Sequence, residues 1–409
     1  MTLYRIPIVN GVGTVNNSTS NLALSTSQSG GYHANEAFAQ VKWYESGTFE
    51  KMRVYVHSNS ASTSTTIKIR KGGADGNQSI TVAAGATGWF EDTSNTDAVT
   101  SGDLWNYKVT RGDAGSLTIT AYVVDFVSAN PVSKIGCHVY QSSSWGTGAN
   151  QTYYPTLFAQ TVTTATEANE KRRLPTAVTL KNLSINIDSN TRNQATLMYS
   201  RVNGADGAQL VTMTASTAGW FEDTTNTDSI TAGDDVSIKT VTGNTSSGRV
   251  YVDTIAYDLV SSTAKMAMGA RIPGSQSAGT TRYLRPIGGG APESTEAAAQ
   301  IKLRGTGTIR RFGALVWTNT ASNTTTATMR LNGADTSLTF NVGGSSTGNF
   351  EDNSNSFTYA DGDLITIKSV RASGTGAITF GFFYFELESD DEDGGGGGGS
   401  TFIPVIMIF

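Results

Sequence analysis

The segment "GWFEDTSNTDAVTSGD" at residues 88–103 returns as "GWFEDTTNTDSITAGD" at 219–234 and, in a diverged form, as "GNFEDNSNSFTYADGD" at 348–363. The three copies begin 131 and then 129 residues apart. Solenoid and propeller repeats are far shorter, at roughly 20 to 50 residues. Each copy therefore marks a unit the size of a domain.

Two further motifs keep the same offsets. A glutamate stands in "NEA", "TEA" and "TEA" at Glu36, Glu167 and Glu296, and "GADG", "GADG" and "GADT" begin at residues 73, 204 and 333. From the glutamate to the closing Gly-Asp, the copies align without an insertion or deletion, and each unit is long enough to bury its own core. We predict five segments: repeat 1 (residues 1–130), repeat 2 (131–262), repeat 3 (263–388), an acidic and glycine-rich linker (389–400) and an apolar docking peptide (401–409).

The hydrophobic pattern predicts an all-β protein. Charged residues make up only 15% of the 409 residues. Apolar residues alternate along 51–58, 64–71 and 115–126, which is the period of half-buried strands. Each repeat holds about eight such segments separated by turn residues, as in an antiparallel sandwich. We predict three tandem jelly-roll-like β-sandwich domains and an extended C-terminal tail.

Composition argues against several classes of function. The net charge is −5 and basic residues are scattered, which is unlike a nucleic-acid-binding surface. A single cysteine, Cys137, excludes an intrachain disulfide and a cysteine-based metal site. The chain shows neither a secretory signal nor an apolar run of the roughly 20 residues that cross a bilayer. We expect a soluble protein made in the cytoplasm, without a cofactor, a nucleic-acid partner or a membrane.

We interpret the quoted segment as core and turn structure. Its aromatic residue would end a strand in the core, its Asp and Asn would form a turn, and its Gly-Asp would form a tight turn into the next strand. The residues given these roles are Phe90, Asp92, Asn95, Gly102 and Asp103 in repeat 1, Phe221, Asp223, Asn226, Gly233 and Asp234 in repeat 2, and Phe350, Asp352, Asn355, Gly362 and Asp363 in repeat 3.

A calcium loop is the alternative interpretation of the same residues, because clustered oxygen ligands suit hard cations. In repeat 1 its ligands would be Asp92, Asn95 and Asp97. Ser356 replaces the last aspartate in repeat 3, and the EF-hand spacing is missing. We therefore favour the turn and predict no metal site.

The sequence also argues against an enzyme. His33, His57 and His138 do not occupy equivalent positions in the repeats, so no shared general base is present. Glu91 and Asp92 are adjacent, and on a strand they would face opposite sides, whereas the carboxylates of a glycosidase converge on one bond. We expect no catalytic residue.

The tail has three compositions in succession: an acidic run, six glycines and "TFIPVIMIF" at 401–409. The glycines would form a flexible tether. An extended nine-residue segment reaches about 30 Å and could add to the edge of a sheet. We predict that it docks on another subunit, on a neighbouring protein or on its own domains through Phe402, Ile403, Pro404, Val405, Ile406, Met407, Ile408 and Phe409.

The repeated "GWFED", the "NGADG" turn and the closing strand "GSLTITAYVVDF" resemble repeats of virion structural proteins of tailed bacteriophages, especially head-decoration and appendage proteins. The resemblance implies β-sandwich modules that assemble on a virion surface after synthesis in the host cytoplasm. Its partners would be capsid or tail proteins and further copies of itself. The three modules would either stack in a row or circle a pseudo-threefold axis.

Three functions follow. The first is a non-enzymatic decoration or cement protein of a capsid, and the second is a tail-fibre or receptor-binding appendage. The third is a carbohydrate-binding β-sandwich, in which Trp43, Trp105, Trp145 and Trp317 would stack on sugars if they were exposed. Packing in the core is the favoured role of these tryptophans, because they lie within apolar alternation.

Overall fold

The structure is a computed structural model that describes residues 4–15, 19–24, 27–28, 32–129, 132–138, 144–145, 148–155, 163–245, 247–261, 266–271, 274–288 and 292–389. These residues form β-strands and three short 3-10 helices, at Glu36–Phe38, Glu167–Asn169 and Glu296–Ala299. None of these helices could span a bilayer. The all-β prediction is confirmed, whereas the predicted docking peptide, Phe402 to Phe409, lies outside the described residues.

The strands follow the repeats. Repeat 1 contains β1 (Tyr4–Val15), β2 (Thr19–Ala23), β3 (Ser27–Gln28), β4 (Val41–Lys42), β5 (Gly47–Asn59), β6 (Thr65–Lys71), β7 (Ala74–Val82), β8 (Gly88–Val99), β9 (Leu104–Arg111) and β10 (Leu117–Ser128). Repeat 2 contains β11 (Val132–His138), β12 (Ser144–Trp145), β13 (Thr152–Pro155), β14 (Thr163–Thr164), β15 (Arg172–Arg173), β16 (Val178–Asn190), β17 (Thr196–Val202), β18 (Ala205–Met213), β19 (Gly219–Ile230), β20 (Asp235–Thr242) and β21 (Val250–Val260). Repeat 3 contains β22 (Met266–Arg271), β23 (Ser275–Ser277), β24 (Thr281–Leu284), β25 (Ile301–Lys302), β26 (Gly307–Asn319), β27 (Thr325–Leu331), β28 (Ala334–Val342), β29 (Gly348–Tyr359), β30 (Leu364–Arg371) and β31 (Ala377–Ser389).

Each repeat folds into two sheets with the strand order of a jelly roll. We call the first the junction sheet (β1-β10-β5-β8, β11-β21-β16-β19 and β22-β31-β26-β29) and the second the opposite sheet (β2-β9-β6-β7, β13-β20-β17-β18 and β24-β30-β27-β28). In every repeat, two Greek keys divided between two sheets give this arrangement. The jelly-roll prediction is confirmed by the strand order.

The core lies where the sequence alternation places it. The predicted strands at 51–58, 64–71 and 115–126 fall within β5, β6 and β10. Val54 and Ile67, on different sheets of repeat 1, are fully buried. The buried apolar residues form one main cluster with members in all three repeats. Burial of this surface is the principal term that stabilises a chain without a disulfide framework.

The quoted segment differs from its prediction in one respect. It runs as the single strand β8, in which Met52 pairs with Asp92 and Glu50 pairs with Thr96, so the register shifts across a bulge. Lys51, opposite the bulge, has a φ of 52°. Asp92 accepts the backbone N–H groups of two residues in the bulge, which lets them leave the ladder without ending the strand. The predicted turn is therefore a bulge within a strand.

Three of the four tryptophans considered for sugar stacking are buried. Trp43, Trp105 and Trp145 are at most 1% exposed, and Trp43 packs edge-on against Phe49 with ring centroids 4.8 Å apart. Trp317 is half-buried and lies against Gly381. The prediction that these residues pack in the core is confirmed for the first three, and their sugar-stacking role is wrong because their faces are covered.

Candidate functional site: the junctions between repeats

The repeats contact one another in a cycle, because repeat 1 contacts repeat 2, repeat 2 contacts repeat 3, and repeat 3 contacts repeat 1. Each contact joins equivalent surfaces. One side is a short stretch that we call the junction segment (residues 36–44, 167–175 and 296–304), and the other is the outer face of the next repeat's junction sheet. The structure therefore forms a closed pseudo-threefold ring and not a linear stack.

Two of the repeated motifs hold the junction segment in place. At its start, the Glu36 carboxylate accepts hydrogen bonds from Arg70 Nε and Nη2, both at 2.8 Å. At its end, Trp43 is bonded to the Gly-Asp turn, since Trp43 N donates to Asp103 O (2.9 Å) and Gly102 N donates to Trp43 O (2.7 Å). Repeats 2 and 3 reproduce both sets of contacts through Glu167, Arg201, Gly233, Asp234, Glu296, Arg330, Gly362 and Asp363.

The Gly-Asp turn has the tight geometry that the sequence predicts. Gly102 has a φ of 94°, a left-handed conformation that a Cβ atom would strain. The Asp103 carboxylate accepts the Thr100 N–H at 2.7 Å and closes the turn. Gly233 and Gly362 have φ values of 94° and 88°. The three Gly-Asp pairs thus adopt tight turns, and each turn supports the junction segment of its own repeat.

The junction between repeats 3 and 1 is closed by charged pairs. Lys302 Nζ and Arg304 Nη2 each donate to one oxygen of Glu91. Beside them, Arg53 Nε donates to Lys302 O at 3.0 Å. Arg53 Nη2 also donates to Asp125 at 2.9 Å, and both of these side chains are fully buried. Three cationic side chains and two carboxylates thus join the first and last repeats.

Electrostatics favour the ionised form of Glu91 at this junction. Burial acts to raise the pKa of Glu91, but the hydrogen bonds from Lys302 and Arg304 outweigh it and hold the pKa below its usual value. Arg304 is itself oriented within repeat 3, because its Nη1 donates to Asp361 at 2.8 Å. Arg304 thus contacts Asp361 of its own repeat and Glu91 of repeat 1 at the same time.

The junction between repeats 1 and 2 uses equivalent positions with different donors. Lys42 Nζ lies 2.8 and 2.9 Å from the two oxygens of Glu222, and Tyr44 OH donates to the same carboxylate at 2.7 Å. Burial raises the pKa of Tyr44, and the bond to Glu222 raises it further, so the phenol remains a donor. Asn186 Nδ2 adds a long hydrogen bond to Ala37 O at 3.4 Å.

The junction between repeats 2 and 3 lacks the equivalent ion pair. Arg173 occupies the position of Lys42 and Lys302, yet its Nε faces Asp235 of its own repeat at 3.4 Å. Pro175, which has no side-chain donor, replaces Tyr44 and Arg304. Glu351 accepts a hydrogen bond from Tyr384 OH (2.9 Å) of its own repeat.

Two other contacts join repeats 2 and 3. Arg311 Nη1 donates to Pro175 O, and the Arg172 guanidinium lies 4.8 Å from the centre of the Phe382 ring. A cavity of about 350 Å³ lies beside them, lined among others by Arg173, Arg311 and Glu351. This junction is therefore held without the carboxylate contact of the other two.

The aspartate of the quoted segment folds the bulge instead of binding a cation. Asp92 is 7% exposed and accepts N–H groups from Ser79 (2.9 Å), Ser94 (3.2 Å) and Asn95 (3.1 Å). These bonds hold the pKa of Asp92 low against the opposing effect of burial. Asp223 and Asp352 accept the same set of donors from Asn226, Asn355 and their neighbours.

Oxygens that accept several N–H groups have their lone pairs directed at positive donors, which is opposite to a cation site. Asp97, the third ligand of the alternative interpretation, accepts the N–H groups of Asn77 (2.6 Å) and Gln78 (3.1 Å). Across the described ranges, no three His, Cys, Asp or Glu side chains are grouped so as to hold a metal ion. The geometry of these carboxylates is that of groups that hold a bulge through backbone N–H donors.

The aromatic residue of the segment lies at the margin of the core. Phe90, Phe221 and Phe350 are half-buried and pack against the main apolar cluster. The prediction that they end a strand inside the core is therefore too strong. Each stands two residues into β8, β19 or β29, whose outer edge is close to the junction.

Sequence reasoning missed the role of Glu91, Glu222 and Glu351, although a signal was present. A glutamate next to a buried aspartate on a strand must face the other side of the sheet, and in all three copies that other side is the junction. The cations at equivalent positions, Lys42, Arg173 and Lys302, share the offsets of the repeat. To pair each glutamate with its cation, one must know which repeat docks on which. The spacing of the motifs along the sequence does not give that information.

No protein-family model matches the sequence, and no curated protein matches it. Solved structures align only weakly with the chain, as two of them illustrate. The first, described as "The Triple Jelly Roll Fold and Turret Assembly in an Archaeal Virus", has 11% identity and a TM-score of 0.16 over 93% of this chain and 90% of its own. The second, the mycobacterial arabinofuranosyltransferase AftD, has 10% identity and a TM-score of 0.16 over 97% of this chain and 37% of its own. TM-scores this low carry no functional argument.

Proposed function

We propose that the protein is a non-enzymatic structural component of a virion, and specifically a decoration or cement protein on a capsid surface. The observation that supports this proposal is the closure of three equivalent jelly rolls into a ring through their repeated residues. The motifs that recur three times hold junction segments and bulges, and the contacts that recur with them are structural ones. An architectural role accounts for all of these residues.

A pseudo-threefold ring suits a particle that offers threefold or quasi-threefold positions. Symmetric partners meet through equivalent surfaces, so three similar modules in one chain can contact three similar surfaces of a shell. The partner is therefore a capsid protein that surrounds such a position. The C-terminal "TFIPVIMIF" would add a second attachment, because so apolar a sequence suits a contact with another protein.

Copy number per particle tests the proposal. We expect quantitative mass spectrometry of purified virions to find this chain at a copy number comparable to the number of threefold positions of the shell, which runs to many tens or hundreds. A dozen or fewer copies would instead identify a tail-fibre or receptor-binding appendage. The absence of the chain from purified particles would contradict both roles.

Truncation tests the attachment separately. We expect a chain that ends at Ser389 to form the ring but to occupy fewer sites on purified capsids that carry no copies of this protein. Co-sedimentation with these capsids measures the occupancy. A substitution within the ring, such as Thr93→Ala on an exposed position of the bulge, serves as the control for handling losses. Normal occupancy of the truncated chain would contradict a role of the tail in attachment and would leave attachment to the modules alone.

A further inference from the structure

The cavity at the junction between repeats 2 and 3 lies where the described residues do not repeat the carboxylate contact of the other two junctions. At the other two junctions, a glutamate of one repeat is contacted by donors of the preceding repeat. Here Pro175 supplies no side-chain donor, and the space is left as a cavity of about 350 Å³. This volume lies within the range of small-molecule sites.

The cavity brings together two guanidinium groups from different repeats. Arg173 comes from repeat 2 and Arg311 from repeat 3. Arg173 uses only its Nε, in a long bond to Asp235 at 3.4 Å, so both of its terminal nitrogens keep their donors. Arg311 uses Nη1 for Pro175 O and lies 3.6 Å from Glu386. Paired N–H donors of this kind match the oxygens of a carboxylate.

The opposite charge on the same wall restricts the ligand further. Glu351 lines the cavity and can accept a hydrogen bond from a ligand, as can the side-chain oxygen of Asn353. With Asp235 and Glu386 behind the two arginines, the site does not carry the strong positive charge that a phosphate group favours. A ligand with one carboxylate and one hydrogen-bond donor can pair with the two arginines and also donate to Glu351.

We propose that this cavity binds a small organic carboxylate that also carries a hydroxyl or ammonium group. The carboxylate is held between Arg173 and Arg311, and the donor group faces Glu351. The ligand supplies the bridge between repeats 2 and 3 that the protein's own side chains supply at the other junctions. This inference does not depend on the proposed virion role, because it concerns the ring alone.

Calorimetric titration of the full chain tests the site, with glycolate and glycine as probes and acetate and methylammonium as partial probes at matched ionic strength. We expect saturable binding of glycolate or glycine that is at least several-fold tighter than that of either partial probe. A saturating probe is expected to raise the melting temperature by roughly 1–3 °C, because it binds only the folded ring. Absence of saturable binding, or equal binding of acetate, would overturn the proposal.

Two variants locate the binding. Arg173→Gln removes one guanidinium that makes a single long bond, so the fold is retained while affinity falls at least tenfold. Ala232→Met, from an exposed position on the cavity wall, fills the space without changing a charge and is expected to weaken binding as well. Arg282→Gln removes an arginine of repeat 3 outside the cavity wall and is the control. Unchanged affinity in both cavity variants would show that the probes bind elsewhere and would overturn the proposal.

Discussion

The junction between repeats 3 and 1 and the junction between repeats 2 and 3 occupy equivalent positions in the ring but are stabilised differently. At the first, Glu91 is contacted by Lys302 and Arg304. At the second, the equivalent Glu351 is contacted within its own repeat, and a cavity separates it from Arg173. The repeats are therefore similar in fold but differ in the contacts that join them.

This difference separates residues that fold each sandwich from residues that contact the neighbouring repeat. The turn and bulge residues, such as Asp92 and Gly102, make the same contacts in all three copies because each sandwich needs them. Some residues that face a neighbour vary, since Tyr44, Pro175 and Arg304 share one position. A ring within one chain needs strong contacts most where its two distant ends meet, and there the ion pairs are concentrated.

The largest expected effect concerns the buried pair beneath the junction of repeats 3 and 1. Asp125→Asn would leave the Arg53 guanidinium buried without its carboxylate partner. Removing one partner of a buried ion pair destabilises a protein by about 3–5 kcal/mol. Urea unfolding followed by tryptophan fluorescence measures this loss. Asp75→Asn, whose carboxylate pairs with Lys68 and Arg70 but is 44% exposed, is the matched control. Equal losses in the two variants would show that burial does not increase the contribution of the Arg53–Asp125 pair to the free energy of unfolding.

The second prediction concerns a buried carboxyl on the junction sheet of repeat 2. Asp253 is fully buried, and neither of its oxygens has a hydrogen-bond partner among the described residues. Burial, with a smaller contribution from Asp188, raises its pKa from 3.8 to about 8. The folded protein therefore binds this proton more tightly than the unfolded chain does. The stability that results is fully present below pH 3.8 and is lost as the pH rises through 8.

Replacing this carboxyl by an amide tests the sign of that dependence. Asp253→Asn keeps the neutral form at every pH, so we expect it to exceed the wild type in unfolding free energy by roughly 2–3 kcal/mol at pH 6 relative to their difference at pH 4. Parallel stability profiles of the two proteins from pH 4 to 9 would contradict a neutral Asp253.

The third prediction compares the two equivalent glutamates directly. Glu91→Gln removes a partly buried charge that Lys302 and Arg304 contact, and we expect a loss of about 1–2 kcal/mol, between the values for exposed and buried pairs. Glu351→Gln removes a charge that, among the described residues, no cation of repeat 2 contacts. We therefore expect a loss under about 0.5 kcal/mol. Chemical unfolding at pH 7 measures both. A larger loss for Glu351→Gln than for Glu91→Gln would contradict this prediction, because the junction between repeats 2 and 3 would then contribute more to stability.

Acid should reduce the difference in unfolding free energy between the wild type and Glu91→Gln. The pKa of Glu91 is lowered from its ordinary 4.5, so its contribution is present above that pH and is lost as the pH falls through the lower, folded-state pKa. We expect wild type and Glu91→Gln to differ at pH 7 and to approach each other below pH 4. A difference that is the same at both pH values would show that the amide acts through shape and not through charge.

Much of the fold could be predicted from the sequence, because strand alternation and the offsets of Gly88, Gly219 and Gly348 are local or periodic features. The bulge at Asp92 could not, because a turn and a bulge use the same Asp and Asn chemistry. The ring could not either. Glu91 and Lys302 are 211 residues apart, and the sequence does not say on which sheet a neighbouring domain docks. The direction of the cycle emerges only from the packing of whole modules.

Zero-length carbodiimide crosslinking tests the closed ring most directly, because it joins a carboxylate to a lysine only where the two are in contact. Digestion of the monomeric crosslinked chain followed by mass spectrometry should find Glu91 joined to Lys302, and Glu222 joined to Lys42. At the third junction Arg173 stands in place of the lysine and leaves no equivalent product. Recovery of the Glu222–Lys42 product without the Glu91–Lys302 product would show that repeats 1 and 3 do not meet and would contradict the ring.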